Sequence, residues 1–249
     1  MNDLKTQNIR HNPERELCPH CEELNELNKR TTPLLPSEHE IKTRLERHQT
    51  IAKQQSLYYT TMRSNITEKQ IICVMDFSLF QIANNNHQDL IITLINNKPP
   101  KQEEKERKRE KKTTKLNPSI TSPKLKYPQQ PIYYHFFGEG GLKNDICFVA
   151  EVFFNHLVPK LMVYDEILFW TDGGPKHFKI SPLIKLIHKL SNNQLKNKKI
   201  SHHFFASYHG HSICDAAAAH IKFAIEKDLN ITQHAPQNID QTCKIISSI

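Results

Sequence analysis

Three aspartates close or interrupt the apolar stretches of this chain: Asp76 in QIICVMDF, Asp172 in ILFWTDGG and Asp215 in HGHSICDAAAAH. Carboxylates that converge can hold divalent cations, and hard oxygen ligands suit Mg2+ or Mn2+. Two such cations roughly 3.5 to 4 Å apart activate a water or a 3′-hydroxyl and stabilise the leaving oxygen in phosphodiester transfer. Lys176, His177 and Lys179 follow Asp172 directly, where a phosphate backbone would lie beside the acids. Each aspartate also has a plainer reading. Asp172-Gly173-Gly174 is what a turn needs. Asp76 interrupts a buried run, so it must be paired, metal-bound or at the strand's edge. Asp215 stands where a helix takes an N-terminal acid.

The cysteines and histidines offer other chemistry. Cys18-Pro19-His20-Cys21 has the spacing of half a zinc knuckle, two thiolates from one tight turn. A closed zinc site needs two more ligands, to be found in His11, His20 or more distant groups; free thiols and a redox pair are the alternatives. Around the third aspartate, Cys214 with His209 makes a candidate nucleophile pair, although no third orienting group is evident. His202, His203, His209, His211 and Cys214 make a candidate zinc cluster, as in a zinc-dependent hydrolase.

The elements that must position these groups follow from patterning. Ile71 to Met75 is continuously apolar, as in a strand buried on both faces, and Gln70 to Phe77 is assigned to that strand. Asp89 to Ile95, Pro131 to Phe137, the run ending at Asp172 and Ile200 to Ser207 are the other predicted strands. Helices are predicted at 37–63, opened by a Ser37/Glu40 capping box, and from Asn144 or Asp145 through Val158 with Pro159 just after it. Two more are predicted from Pro182 to Leu190 and from Ala216 to Lys227. Gly138-Glu139-Gly140-Gly141 lacks the Lys-Ser/Thr that a phosphate-cradling loop requires. The order of elements predicts an α/β fold, a mixed sheet with helices on its faces and right-handed crossovers between its parallel strands.

Composition sets the bounds. Only 37% of the 249 residues are hydrophobic, so part of the chain is solvated, and the formal charge of +8 favours polyanions such as nucleic acid. Residues 101–126 hold ten Lys/Arg against four Glu and supply most of that excess. Arg107, Lys108 and Arg109 lie there, with phosphate contact and nuclear import as functional readings and a solvated loop as the plain one. No apolar run approaches the roughly 20 residues a membrane span needs, and the N-terminus has no secretory apolar core. Scattered cysteines fit a reduced interior, nuclear or cytoplasmic, better than a disulfide framework. The expected organisation is a CxxC-containing segment at 1–35, a helix at 36–66, a main domain at 67–229 with a basic insertion at 97–130, and a polar tail at 230–249.

Taken in order, QIICVMDF, FWTDGGPKHFK and HHFFASYHGHSICDAAAAHIK resemble a family of transposon-derived eukaryotic proteins with a ribonuclease H-like core, similar in layout to DDE transposases. CPHCEELN and the helix after it share the resemblance, which covers most of residues 17–228 apart from the basic insertion. The resemblance implies a ribonuclease H-like mixed sheet, Asp76, Asp172 and Asp215 as an acidic triad for Mg2+ or Mn2+, and metal-dependent DNA strand transfer or cleavage. It also implies DNA as partner, with Lys176, Lys179, His209 and His211 near the phosphates, and leaves self-association into a homo-oligomer open. His209, Gly210, Cys214 and Asp215 stand as in the family's His-Gly-Lys…Cys-Asp-Gly box. His211 replaces its Lys, and Ala216, Ala218 and Ala219 replace its glycines. Glycines permit close backbone approach, whereas alanines favour an ordinary helix. The alternative function is therefore a non-catalytic, domesticated nucleic-acid-binding or scaffold protein.

Overall fold

A computed structural model describes residues 18–82, 85–97, 131–138, 146–173, 178–207, 209, 213–232, 234, 236 and 238–247. Arg107, Lys108 and Arg109 of the basic insertion, together with His11, Lys176, His177 and His211, lie outside the described residues. The chain divides into two compact units, Met1–Gln54 and Gln55–Ile249.

In the first unit, α1 (Pro19–Lys29) and the start of α2 (Pro36–Asn65) share a small core of Leu24, Leu27 and Leu45, with Leu34 and Ile41 against it. Proline needs no hydrogen-bond acceptor for its nitrogen, so Pro36 is suited to the first helical position of α2. The Leu35 N–H then donates to Glu38 Oε2 at 2.9 Å, and Arg30 holds the other oxygen at 2.6 Å. The helix start is thus locked two residues before the expected Ser37/Glu40 pair.

The second unit is built on a five-stranded sheet in the order β3-β2-β1-β4-β5. Its strands are β1 (Gln70–Ile82), β2 (Asn85–Ile95), β3 (Ile132–Gly138), β4 (Glu166–Thr171) and β5 (Lys199–Phe204). The β1/β2 and β2/β3 ladders are antiparallel, whereas β1/β4 and β4/β5 are parallel. Alternation sends Ile71, Cys73, Met75, Ile167 and Phe169 to one face. There they meet a helical segment of α3 (Ile146–Val152), a π-helical turn (Phe153–Leu157) and α4 (Val158–Leu161), and then α5 (Ser181–Asn192). Ile72, Val74, Leu168 and Trp170 go to the other face, against Tyr59 and Met62 of α2 and Cys214, Ala217 and Ala218 of α6 (Ile213–Thr232). Both faces are covered, which is why β1 and β4 read as unbroken apolar runs.

Two expectations about helices are corrected. Pro159 does not end the segment predicted to stop at Val158, because it falls in the first turn of α4, just after the π turn, where its missing N–H costs nothing. The polar tail contains α7 (Ile239–Ser247), which packs on α6 and is capped by Asn238 Oδ1 accepting the Gln241 N–H at 2.9 Å. Asn-x-x-Gln is a legible helix start that composition alone conceals.

The start of the parallel strands is fixed by Glu166, which receives Gln70 Nε2 at 2.6 Å and Lys199 Nζ at 2.7 Å, one partner from each neighbouring strand. Trp170 anchors the α2/α6 face. It is fully buried, its indole N–H points to Met62 Sδ at 3.3 Å, and its ring lies 5.1 Å from Tyr59 and 4.9 Å from both Phe205 and His203. Truncating a buried aromatic of this size removes its burial energy and leaves a cavity, so Trp170→Ala should lower stability by about 3–5 kcal/mol in urea denaturation.

Candidate acidic site and cysteine–histidine group

The parallel β1/β4 register pairs Met75 with Thr171. Asp76 and Asp172 are the next residues along the two strands; β4 ends at Thr171 whereas β1 runs on to Ile82, so Asp172 leaves the sheet beside the continuing strand that carries Asp76. Asp76 continues the face of Ile72 and Val74, and Asp172 that of Leu168 and Trp170, which is the face covered by α6. α6 brings the third acid. Its Cys214 is fully buried, and the thiol reaches Thr93 Oγ1 at 3.4 Å, the Val74 carbonyl at 3.6 Å and the Ile91 carbonyl at 3.7 Å. These contacts seat the first turn of α6 over β1 and β2, and Asp215 is the next residue.

The charges of Asp215 and Asp172 both bear on Asp76. The Asp76 carboxyl is pushed up from 3.8 to about 7, first by burial, then by the charge of Asp215, and further by that of Asp172. The Phe77 N–H, donating to Asp76 Oδ1 at 2.8 Å, only partly opposes this. A half-buried carboxyl crowded by two others prefers a proton, and a divalent cation satisfies the same demand. Oxygen donors of this kind suit a hard cation. Among the described residues, the three carboxylates do not by themselves form a group of metal-ligating atoms.

Around the acids, the backbone is tightly constrained. A Cβ on Gly173 would fall 1.9 Å from the Phe205 carbonyl oxygen, so only glycine fits where β4 leaves the sheet beside β5. The Phe205 N–H donates to the Thr171 carbonyl at 2.9 Å, and Ser207 Oγ donates to the Gly173 carbonyl at 3.0 Å. Beyond the loop, buried Phe178 stacks on Phe77 with ring centroids 5.0 Å apart. The glycine that also reads as a turn residue is therefore the point where two chain segments touch beside Asp172.

The other expected residues fall as follows. Lys179 is exposed and lies 5.7 Å over the Phe204 ring. His209 is half-buried in the turn after β5, its N–H donating to the Ala206 carbonyl at 2.9 Å. Complete burial of Cys214 removes the nucleophile reading of the Cys214/His209 pair. Among the described residues, His202, His203 and Cys214 form no group of metal-ligating atoms. His202 instead meets Thr171 Oγ1 at 2.9 Å, and burial, with some help from His203, lowers its pKa to about 4, so it is neutral.

In the first unit, Cys18 and Cys21 are joined by His48 of α2. One ligand atom from each lies within 4.8 Å of the others. Cys18 Sγ is 3.2 Å from His48 Nε2, and the His20 ring stands edge-on to His48 at 5.1 Å. Cys18 is no part of a loop knuckle. It is the residue before α1, its carbonyl accepting the N–H groups of Cys21 and Glu22 at 2.8 and 3.0 Å, so helix geometry aims both sulfurs the same way. These residues could hold a zinc ion.

Comparison with known proteins adds little that is specific. Residues 143–248, which include Asp172 and Asp215, match a family described as a domain of unknown function, DUF8701. No curated protein matches the chain. A chain of the simian T-cell lymphotropic virus intasome in complex with PP2A regulatory subunit B56 gamma is similar at 11% identity and a TM-score of 0.39, over 74% of this chain and 49% of that one. Among the described residues no helix is long and apolar enough to cross a membrane.

Two outcomes follow for the acidic site. Asp76 keeps its proton in the folded state up to about pH 7 but loses it near 3.8 when unfolded, so the folded state binds more protons between those values. Stability without divalent metal should fall as pH rises from about 4 to about 7, by a few kcal/mol. Asp76→Asn should flatten that slope in urea denaturation with chelator present. Gly173→Ala forces two backbones apart and should cost at least about 2 kcal/mol by the same measurement, well above a surface substitution.

Proposed function

We propose that the second unit is a ribonuclease H-like core of transposon ancestry that cleaves or joins DNA strands with divalent metal. The observation that carries this reading is that Asp76 and Asp172 directly follow the last paired residues of the parallel β1/β4 ladder, with Asp215 on the helix seated over β1 and its charge bearing on Asp76. The strand order, with three antiparallel strands followed by two parallel ones, accords with it.

Asp76, Asp172 and Asp215 would hold Mg2+ or Mn2+. Bound there, the cations supply a lowered pKa for an attacking hydroxyl and charge neutralisation at the transferring phosphate. The chain's own part is positional. The parallel pairing and the Gly173 contact fix two carboxylates on sheet backbone, and half-burial of Asp76 and Asp172 strengthens their field. Lys179, exposed on the loop after β4, supplies a cation for a DNA phosphate, together with the lysine-rich insertion.

A second reading, a nucleic-acid-binding or scaffold protein that keeps the fold without catalysis, is favoured by the unbroken helix through Ala216, Ala218 and Ala219. Nicking of supercoiled DNA in Mn2+ separates the two. The catalytic reading expects nicking that falls to background in Asp76→Asn and Asp172→Asn while DNA affinity in a salt titration is unchanged. Salt-dependent DNA binding with no nicking in the parent protein, or nicking that survives both substitutions, overturns it.

A further inference from the structure

We infer that Cys18, Cys21 and His48 are ligands of one structural zinc ion that clasps α1 to α2, a site independent of the acidic triad and of the proposed reaction. The sequence shows only the CxxC half. The helix geometry supplies the third donor by bringing a residue 30 positions away onto the two sulfurs.

The geometry is that of a soft-metal site. In tetrahedral coordination, with Zn–S near 2.3 Å and Zn–N near 2.0 Å, a sulfur and a nitrogen bound to the same ion are about 3.6 Å apart. Cys18 Sγ and His48 Nε2 are 3.2 Å apart, and all three ligand atoms fit within 4.8 Å. No disulfide joins the cysteines. Cys18 is buried, while Cys21 and His48 are half-buried, so the donors face inward at the junction of the helices. The fourth ligand comes from outside these two helices or is water. Two thiolates and an imidazole exclude Mg2+ and Ca2+ on grounds of softness and select Zn2+ among the abundant divalent ions.

The packing of the first unit gives an independent reason for a metal. Its described apolar core is three buried leucines, Leu24, Leu27 and Leu45. At about 1.5–3 kcal/mol each, that burial is far below the roughly 1–2 kcal/mol per residue needed to order the helices that carry it. Units this small are held by an added crosslink, a disulfide or a metal. The leucines close one end of the α1/α2 contact, and the Cys/His group closes the end where α1 begins.

The test uses the full chain, purified without chelator and dialysed, with zinc content measured by elemental analysis. The site expects one zinc per chain in the parent protein, a loss of at least about tenfold in zinc affinity in Cys21→Ser and in His48→Ala, and no change in His39→Ala, an exposed histidine on the same helix. Replacement by Co2+ should give an intense visible spectrum with sulfur-to-metal charge transfer, weakened in Cys21→Ser. Because His48→Ala could unfold the first unit for other reasons, His48→Cys serves as the second variant. It keeps a soft ligand and should retain zinc while raising the charge-transfer intensity. Zinc content near zero in the parent protein after loading, or full retention of zinc with an unchanged cobalt spectrum in His48→Ala, overturns the inference.

Discussion

The parallel pairing of β1 with β4 is the constraint on which the second unit depends. It levels Asp76 with Asp172 only because the two strands start level, and their start is set by Glu166, which bridges Gln70 and Lys199. A slip of one residue would turn every side chain of β4 to the opposite face. Trp170 would leave the aromatic cluster of Tyr59, Phe205 and His203, and Asp172 would leave the face of Asp76. The energy that fixes the acids is therefore hydrophobic and lies behind them. The acids themselves oppose folding, since Asp76 is driven to hold a proton by burial and by its two neighbours.

A site of mutually repelling carboxylates needs firm backbone, and the structure supplies it from elements that look unrelated in sequence. Gly173 lets the exit of β4 touch the exit of β5, with the Phe205 carbonyl where a side chain would be. Phe77 of the strand that carries Asp76 stacks on Phe178, six residues beyond Asp172. Cys214, adjacent to Asp215, settles among Thr93 and the carbonyls of Val74 and Ile91. That last contact explains why a residue with nucleophilic chemistry belongs to packing here. A thiol is small, apolar and a weak donor, and its one hydrogen can be offered to either carbonyl where a helix start meets a sheet.

The buried strands were legible because a sheet covered on both faces demands continuous apolar runs, and Ile71–Met75 and Ile167–Trp170 are such runs. Their pairing was not legible, since nothing local in QIICVMDF names ILFWT as its parallel neighbour. The Cys18–Cys21 pair was visible from spacing. His48 was not, because it sits on a helix whose periodicity gives it the same standing as any other inward residue, and only the approach of α1 distinguishes it. Pro159 misled for a similar reason, as the π turn before it restarts the helix and makes a first-turn proline harmless. Local rules find elements and their ends; contacts between distant segments decide which polar residues meet.

The alanines of α6 carry two separate meanings, which burial distinguishes. Ala217 and Ala218 are buried against the sheet, where a methyl adds contact and each residue favours helix over glycine by about 1 kcal/mol. There, alanine stiffens the support of Asp215 and says nothing against catalysis. Ala216 and Ala219 are exposed on the same first turns. At these exposed positions alanine gives up the freedom of φ that glycine would have and holds the helix in its ordinary form. The non-catalytic reading thus rests on two exposed methyl groups, and the proposed catalytic one on three aspartates, of which Asp76 is costly to ionise in place. A chain kept only as a scaffold would gain stability by replacing Asp76 with a neutral residue. Asp76, whose proton is held up to about pH 7, is therefore the residue at which the two readings part.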